Sequence, residues 1–135
     1  MNLSTEGTNR GKGLLLCEGL ATGLSLLEST GLEVLVSFGW GNLKAVALSA
    51  RQDWPDREII LAADNDCGGG PNVGLEKARE AALAINGLMA VPFLSSDNGA
   101  ASVDFNDLHR LEGPEAVRAF INMAYEPVKG AGHAK

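Results

Sequence analysis

The sequence predicts an α/β domain built on a mostly parallel, four-stranded sheet flanked by helices. Three observations carry this. Four short apolar runs bounded by turn signals read as strands buried on both faces, as parallel strands are. Stretches long enough for helical crossovers separate consecutive runs. Acidic residues follow three of the runs, and ligands of open parallel sheets bind beyond the carboxyl ends of the strands.

Residues Met1 to Lys12 are polar, contain glycine and show no hydrophobic period, so residues 1–12 read as a flexible leader or a linker remnant. Gly13-Leu14-Leu15-Leu16-Cys17 is the first strand, and it ends at Glu18-Gly19. From Leu20 to Thr30 the residues Leu20, Leu24 and Leu27 recur at helical spacing, with Ala21 and Leu26 widening the stripe and Gly31 as the stop. Val34 to Ser37 is the second strand. A glycine-rich turn, Phe38 to Asn42, leads into a helix from about Leu43 to Arg51 with Leu43, Val46, Ala47 and Ala50 on one face and Asn42 as its cap.

Asp53-Trp54-Pro55-Asp56 reads as a turn, and the third strand lies in the stretch Glu58 to Asp66. The clearest amphipathic helix spans Asn72 to Ile85, with Leu75, Ala78, Ala82 and Ile85 opposite Glu76, Arg79 and Glu80, and it stops at Asn86-Gly87. Leu88 to Val91 is the fourth strand, closed by Pro92. A small-residue loop, Ser95 to Ser102, precedes the acidic cluster Asp104-Phe105-Asn106-Asp107-Leu108-His109. The last helix opens at Pro114 and runs to about Ala124, with Val117, Phe120, Ile121 and Ala124 inward. Residues 13–125 thus form one domain, and 126–135 read as a disordered tail.

A chain of 135 residues is long enough for one domain with a real core, and its 45% hydrophobic and 21% charged residues suit a globular protein. No apolar run is long enough to span a bilayer, and no basic segment leads into an apolar one at the N-terminus; a cytoplasmic location is expected. Cys17 and Cys67 are too few for a disulfide framework and lack zinc-site spacing. A buried strand cysteine and a loop cysteine are the plainer reading than a redox pair. The net charge of -6 argues against stand-alone nucleic-acid binding, and 5% aromatics argue against a base-stacking platform.

Asp64 and Asp66 lie two apart in an extended chain, so their carboxylates point the same way while Asn65 turns aside. That pair suits a hard divalent cation, and its bland reading is an ordinary turn. Glu18, Asp104 and Asp107 fall at the same edge of the sheet, which scattered surface acids would not do. Gly19, Gly41 and Asn42 are candidates for presenting backbone amides to a phosphate. Gly39-Trp40-Gly41, however, matches neither a P-loop nor a dinucleotide fingerprint. Lys44 and Lys77 begin helices at this edge and are candidate phosphate partners, with plain surface solvation as the competing reading. His109 beside the cluster and His133 in the tail carry no assigned role.

The set Glu18-Gly19-Leu20-Ala21-Thr22-Gly23-Leu24-Ser25-Leu26, Gly41-Asn42-Leu43, Ala62-Ala63-Asp64-Asn65-Asp66 and Asp104-Phe105-Asn106-Asp107-Leu108 resembles the Toprim domain. It is most similar to the Toprim domains of primases and primase-helicases of phages, plasmids and other mobile elements. The resemblance covers roughly Lys12 to Ala124 and implies a Rossmann-like fold that binds Mg²⁺ or Mn²⁺ and catalyses phosphoryl transfer. For a primase the product is primer RNA made from nucleoside triphosphates on a single-stranded DNA template. It implies Glu18, Asp64 and Asp66 as catalytic residues, Asp64 and Asp66 as the cation anchor, and Asp104 and Asp107 as candidates for a second metal. Glu18 is left open as ligand or general base.

Two departures stand against this pattern. Many primase Toprim domains carry another acid shortly after the Glu-Gly pair, where this chain has Ala21, Thr22 and Gly23. There is also no zinc-binding module and no helicase motif, so the expectation is one domain of a larger polypeptide whose partners include such domains. A haloacid-dehalogenase-like phosphatase would place its aspartate pair after the first strand, and a receiver domain would too. A calcium loop counted from Asp64 would need glutamate where Leu75 stands. A Toprim nuclease and a non-catalytic nucleic-acid scaffold remain as alternatives.

Overall fold

The computed structural model describes residues 1–3, 13–66, 70–95 and 102–128. Of the expected leader 1–12, residues 4–12 lie outside the described residues while 1–3 join the sheet, which corrects that part of the reading. The loop Cys67-Gly68-Gly69, the loop residues 96–101 and, of the expected tail 126–135, residues 129–135 including His133 also lie outside them. The elements in chain order are β1 (Asn2–Leu3), β2 (Leu14–Cys17), α1 (Leu20–Thr30), β3 (Glu33–Val36), α2 (Trp40–Asp53), β4 (Ile59–Ala62), α3 (Val73–Ile85), β5 (Leu88–Ala90), α4 (Phe105–Glu112) and α5 (Pro114–Asn122).

The sheet order is β1-β3-β2-β4-β5. The four expected strands are mutually parallel, with Leu15 opposite Val34 on one side and Ile60 on the other, and Leu61 opposite Met89. A fifth strand, β1, pairs antiparallel with β3 through Asn2 opposite Leu35 and Leu3 opposite Val34. Two residues have no period to read, and this pairing arises because β3 would otherwise leave its outer backbone groups unpaired.

The strands alternate between two apolar layers, as their period of two requires. Leu14, Leu16, Ile59 and Leu61 face α2 and α3, where Leu43, Ala47, Ala78 and Ala82 meet them. Leu15, Cys17, Ile60 and Ala62 face α1, α4 and α5, packing on Leu26, Phe105, Leu108 and Val117. The Phe105 ring is fully buried, and burial of such a side chain stabilises by about 1.5–3 kcal/mol.

Two local readings are corrected. In α1 the leucine stripe is only partly the buried face: Leu26 is buried and Leu27 packs against the core, but Leu20 and Leu24 are exposed, and Thr22, Gly23, Ser25 and Ser29 take their place inside. Small residues let this helix approach the sheet closely. A Cβ on Gly23 would stand 2.7 Å from Val36 Cγ2 and 2.9 Å from Leu3 Cδ1. In α2 the helix begins at Trp40, so Asn42 lies inside its first turn, and its amide donates back to the Ser37 carbonyl at 3.2 Å. Gly39, at φ 139°, takes the cap position with a backbone angle that other residues rarely adopt. The stop and start signals at Gly31, Asn86 and Pro114 hold, Gly31 and Asn86 in left-handed conformation, while Asn72, read as the first helical residue, is instead the N-cap of α3.

Helix α4 is an addition to the sequence reading. Asp104 accepts from the Asp107 amide and Asp107 reaches back to the Asp104 amide, a reciprocal capping box.

Candidate functional site

Helix α1, which follows β2, covers one face of the sheet, whereas α3, which follows the neighbouring strand β4, covers the other. The chain therefore leaves two adjacent strands in opposite directions. Between their carboxyl ends it opens the crevice where ligands of such sheets bind. Glu18 ends β2 on one side of the crevice, and Asp64 and Asp66 lie beyond β4 on the other.

Asp64, Asp66, Asp104 and Asp107 line one small cleft of about 70 Å³ together with Ser102 and Val103. Two segments distant in sequence make this cleft because they pair: Asn65 and Val103 exchange backbone hydrogen bonds, each 2.9 Å. Helix α3 then closes on the Asp64–Asp66 turn. The Gly74 amide donates to Asp66 Oδ2 at 3.1 Å. A Cβ on Gly74 would meet the Asp64 carbonyl oxygen at 2.8 Å, so the approach depends on glycine.

The electrostatics follow from this crowding. The Asp64 carboxyl is pushed up from 3.8 to about 7, first by burial and then by the charges of Asp104, Glu18, Asp66 and Asp107. Every acid singled out in the sequence thus acts on Asp64, including Glu18, which is not among the residues lining the cleft. Burial also raises the Asp104 carboxyl; the backbone amide of Asp107 opposes that, and the Asp107 charge adds to it.

The carboxylate oxygens differ in what they already hold. Asp107 Oδ2 accepts from the Asp104 amide and its Oδ1 from Arg110, at 3.1 Å each. Asp104 Oδ1 accepts from the Asp107 amide at 2.8 Å. The Asp104 carboxylate is also met by the Asn106 backbone amide, whereas among the described residues the Asp64 carboxylate and Asp66 Oδ1 take no hydrogen bond. Asp104 and Asp107 are thus both engaged in capping α4, and Asp64 and Asp66 present the open oxygens.

A divalent cation fits this donor set chemically. The donors are carboxylate oxygens, which suit Mg²⁺ or Mn²⁺, and the repulsion concentrated on Asp64 is what a positive charge relieves. Among the described residues no three His, Cys, Asp or Glu side chains stand close enough together to hold a metal ion. Mg²⁺ commonly takes only one or two carboxylates and shares its remaining positions with water and substrate phosphate.

The other candidates lie around this edge. Gly19 is the N-cap of α1, directly after Glu18, and Gly41, Asn42 and Lys44 occupy the exposed start of α2. Lys77 is exposed on α3, with Glu80 3.7 Å from its ammonium group. None of these lines the acidic cleft. Cys17 is a free, buried thiol. His109 Nδ1 lies 3.0 Å from Ser25 Oγ, which donates to Asn106 Oδ1, so the histidine joins α4 to α1. Asn65, read from sequence as turning aside from the aspartates, and Asn72, read only as the start of the helix, form a hydrogen-bonded pair under the cleft. The spacing Asp104-x-x-Asp107 before Leu108 is the one sequence signal that would have revealed α4.

A cavity of about 490 Å³ lies at the opposite end of the sheet near Arg51, Arg57 and Asn86. There the Arg51 guanidinium donates to the carbonyls of Ile85, Trp54, Pro55 and Arg57. It ties α2 to the turns around β4.

A parallel α/β sheet with a glutamate after one strand and an Asp-x-Asp pair after its neighbour defines the class. The chain belongs to the Toprim domain family, whose model matches residues 13–115. Within that family its similarity runs to DNA primases. It is 36% identical over 86 residues to DNA primase TraC of Escherichia coli, an alignment covering 61% of this chain and 6% of that protein. The fold is shared with a chain in the structure of bacteriophage T7 lagging-strand DNA polymerase interacting with primase domains of two gp4 subunits. The TM-score is 0.59 at 21% identity, covering 87% of this chain and 57% of that one. It is shared also with the DnaG primase catalytic domain bound to ssDNA, at TM-score 0.55 and 21% identity, covering 87% of this chain and 35% of that one. The chain therefore spans only a small part of its curated relative. No helix among the described residues is long and apolar enough to cross a membrane.

Proposed function

We propose that this chain is the phosphoryl-transfer domain of a DNA primase, part of a larger primase or primase-helicase that makes primer RNA on a single-stranded DNA template. The supporting observation is the group of carboxylates around one cleft at the crevice between β2 and β4, in a chain similar in sequence to a primase. Asp64 and Asp66 would hold Mg²⁺ or Mn²⁺, with Asp104 reaching in from the facing segment and Asp107 mainly orienting Asp104. When bound, the cation supplies positive charge that offsets the nucleotide phosphates and favours ionisation of the attacking 3′-hydroxyl.

The chain's own groups do the rest. Glu18, across the crevice from Asp64, serves as an added ligand or as acceptor of the hydroxyl proton. The backbone at Gly19 and Gly41 and the Lys44 and Lys77 ammonium groups would orient phosphates at this end of the sheet, whereas the Asn42 amide donates to the Gly39 carbonyl and its side chain to that of Ser37. With a net charge of -6, affinity for template must come from the cation and from basic surface on other domains, such as zinc-binding or helicase domains.

The test is primer synthesis by the full polypeptide, run beside nicking of supercoiled DNA and a gel shift on single-stranded DNA. Cation-dependent primer synthesis lost in Glu18→Gln and in Asp64→Asn/Asp66→Asn is the expected result. Nicking without primer synthesis would replace the reading with a Toprim nuclease. DNA binding that survives both chelation and Glu18→Gln, without either chemistry, would replace it with a scaffold.

A further inference from the structure

The two acidic segments of the cleft repel each other, so something must hold them at a set separation. Asn65, only 3% exposed, does this in two ways. Its backbone pairs with Val103, the residue before Asp104. Its side chain is used at both ends: Nδ2 donates to the Pro92 carbonyl at 3.1 Å, and Oδ1 accepts from Asn72 Nδ2 at 2.9 Å. Asn72 in turn accepts through Oδ1 from the amides of Asp66, at 2.9 Å, and Leu75, at 3.2 Å.

We infer that Asn65 and Asn72 are positioning residues, a carboxamide pair that sets the separation between Asp64/Asp66 and Asp104 and thereby the cleft's affinity for a divalent cation. The chemistry demands carboxamides at both positions. A helix N-cap needs only an acceptor, which Ser, Thr or Asp provides equally; the donor that Asn72 turns toward Asn65 is surplus to capping. At position 65 a carboxylate would face the Pro92 carbonyl and could not donate to it. An aliphatic side chain would leave the Pro92 oxygen and the Asn72 amide unpaired in a buried place. The pair links the end of β5, the Asp64–Asp66 turn and the first turn of α3, and the Val103 bridge fastens the Asp104 segment to that unit. Partners behind the liganding groups commonly change metal affinity by about tenfold or more when removed.

This inference rests on the cation reading of the cleft, and the experiment separates the two. Mn²⁺ binding to this chain is followed by electron paramagnetic resonance in the wild type, Asp64→Asn/Asp66→Asn and Asn72→Ser. Amide exchange at Val103 and thermal unfolding are measured on the same proteins. Asn72→Ser keeps an acceptor for the cap but loses the donor to Asn65. The expected result is a small change in melting temperature, faster Val103 exchange, and Mn²⁺ affinity lower by about tenfold. Unchanged exchange at Val103 overturns the pair's role, and faster exchange with unchanged Mn²⁺ affinity overturns its control of the cleft. If the wild type binds no Mn²⁺, or the double variant binds it equally well, the cation reading fails; Val103 exchange still decides whether the pair holds the two segments together. If Asn72→Ser loses its fold by circular dichroism, Asn72→Thr, which keeps an acceptor for the cap without adding charge, takes its place with the same outcomes.

Discussion

Replacing Asp64 by Asn is expected to stabilise the cation-free domain in mildly alkaline buffer and to leave it unchanged in acid. Burial and the surrounding carboxylates hold Asp64 at about 7 instead of 3.8. The unfolded chain releases this proton at about pH 4. Between those values the folded state binds more protons than the unfolded state, so stability falls as pH rises. The favourable contribution is complete below about pH 4 and lost above about pH 7. At about 1.4 kcal/mol for each tenfold change in proton affinity, the whole effect corresponds to about 4 kcal/mol. Solvent reaches part of this side chain and screens the neighbouring charges, so about half, ~2 kcal/mol, is the expected gain. Urea unfolding in EDTA at about pH 3.5, 5.5 and 8 measures it. The two proteins are expected to coincide at the lowest pH and diverge as pH rises, with Asp64→Asn the more stable. A variant no more stable than the wild type at about pH 8, or equally favoured at all three pH values, would refute the crowding described around Asp64.

Gly74→Ala would place a Cβ 2.8 Å from the Asp64 carbonyl oxygen and 2.9 Å from its Cβ. Overpacking of this kind costs about 1–3 kcal/mol, and better helix propensity returns about 1 kcal/mol; a net loss in urea unfolding and weaker Mn²⁺ binding are expected. Burial, then the charges of Asp64 and Glu18, push the Cys17 thiol up to about 12. Iodoacetamide is therefore expected to modify it in urea but scarcely in the native domain at about pH 8, and rapid native labelling would contradict its placement. Arg57 pairs with Glu33 at 3.0 Å, with Glu33 1% exposed. Arg57→Ala is expected to cost about 3–5 kcal/mol by leaving that carboxylate buried beside less positive charge. Adding Glu33→Gln is expected to recover part of the loss, and a purely additive double variant would argue against coupling.

The four parallel strands, the central amphipathic helix and the acids at one edge are all legible in the sequence, because each rests on local chemistry. A buried strand needs a continuous apolar run, as in Leu14–Cys17 and Ile59–Ala62. A helix that buries one side needs the period seen in Ala78, Ala82 and Ile85. Asp64 and Asp66 share a direction simply because they are two apart. Even the family resemblance rests on short ordered stretches of this kind.

Tertiary structure alone decided the rest. Leucines at helical spacing in α1 look inward by sequence, but the inner face is chosen by how closely the helix approaches Val36 and Leu3, which favours Gly23 and its small neighbours. The strand β1 depends on an edge that exists only once β3 is in place. The cleft itself brings Asp104 to Asp64 through the bridge between Asn65 and Val103, a pairing between residues far apart in the chain. Local pattern supplies the carboxylates and the end of the sheet they occupy. Their separation, and with it the repulsion carried by Asp64, is a property of long-range hydrogen bonds that no local period encodes.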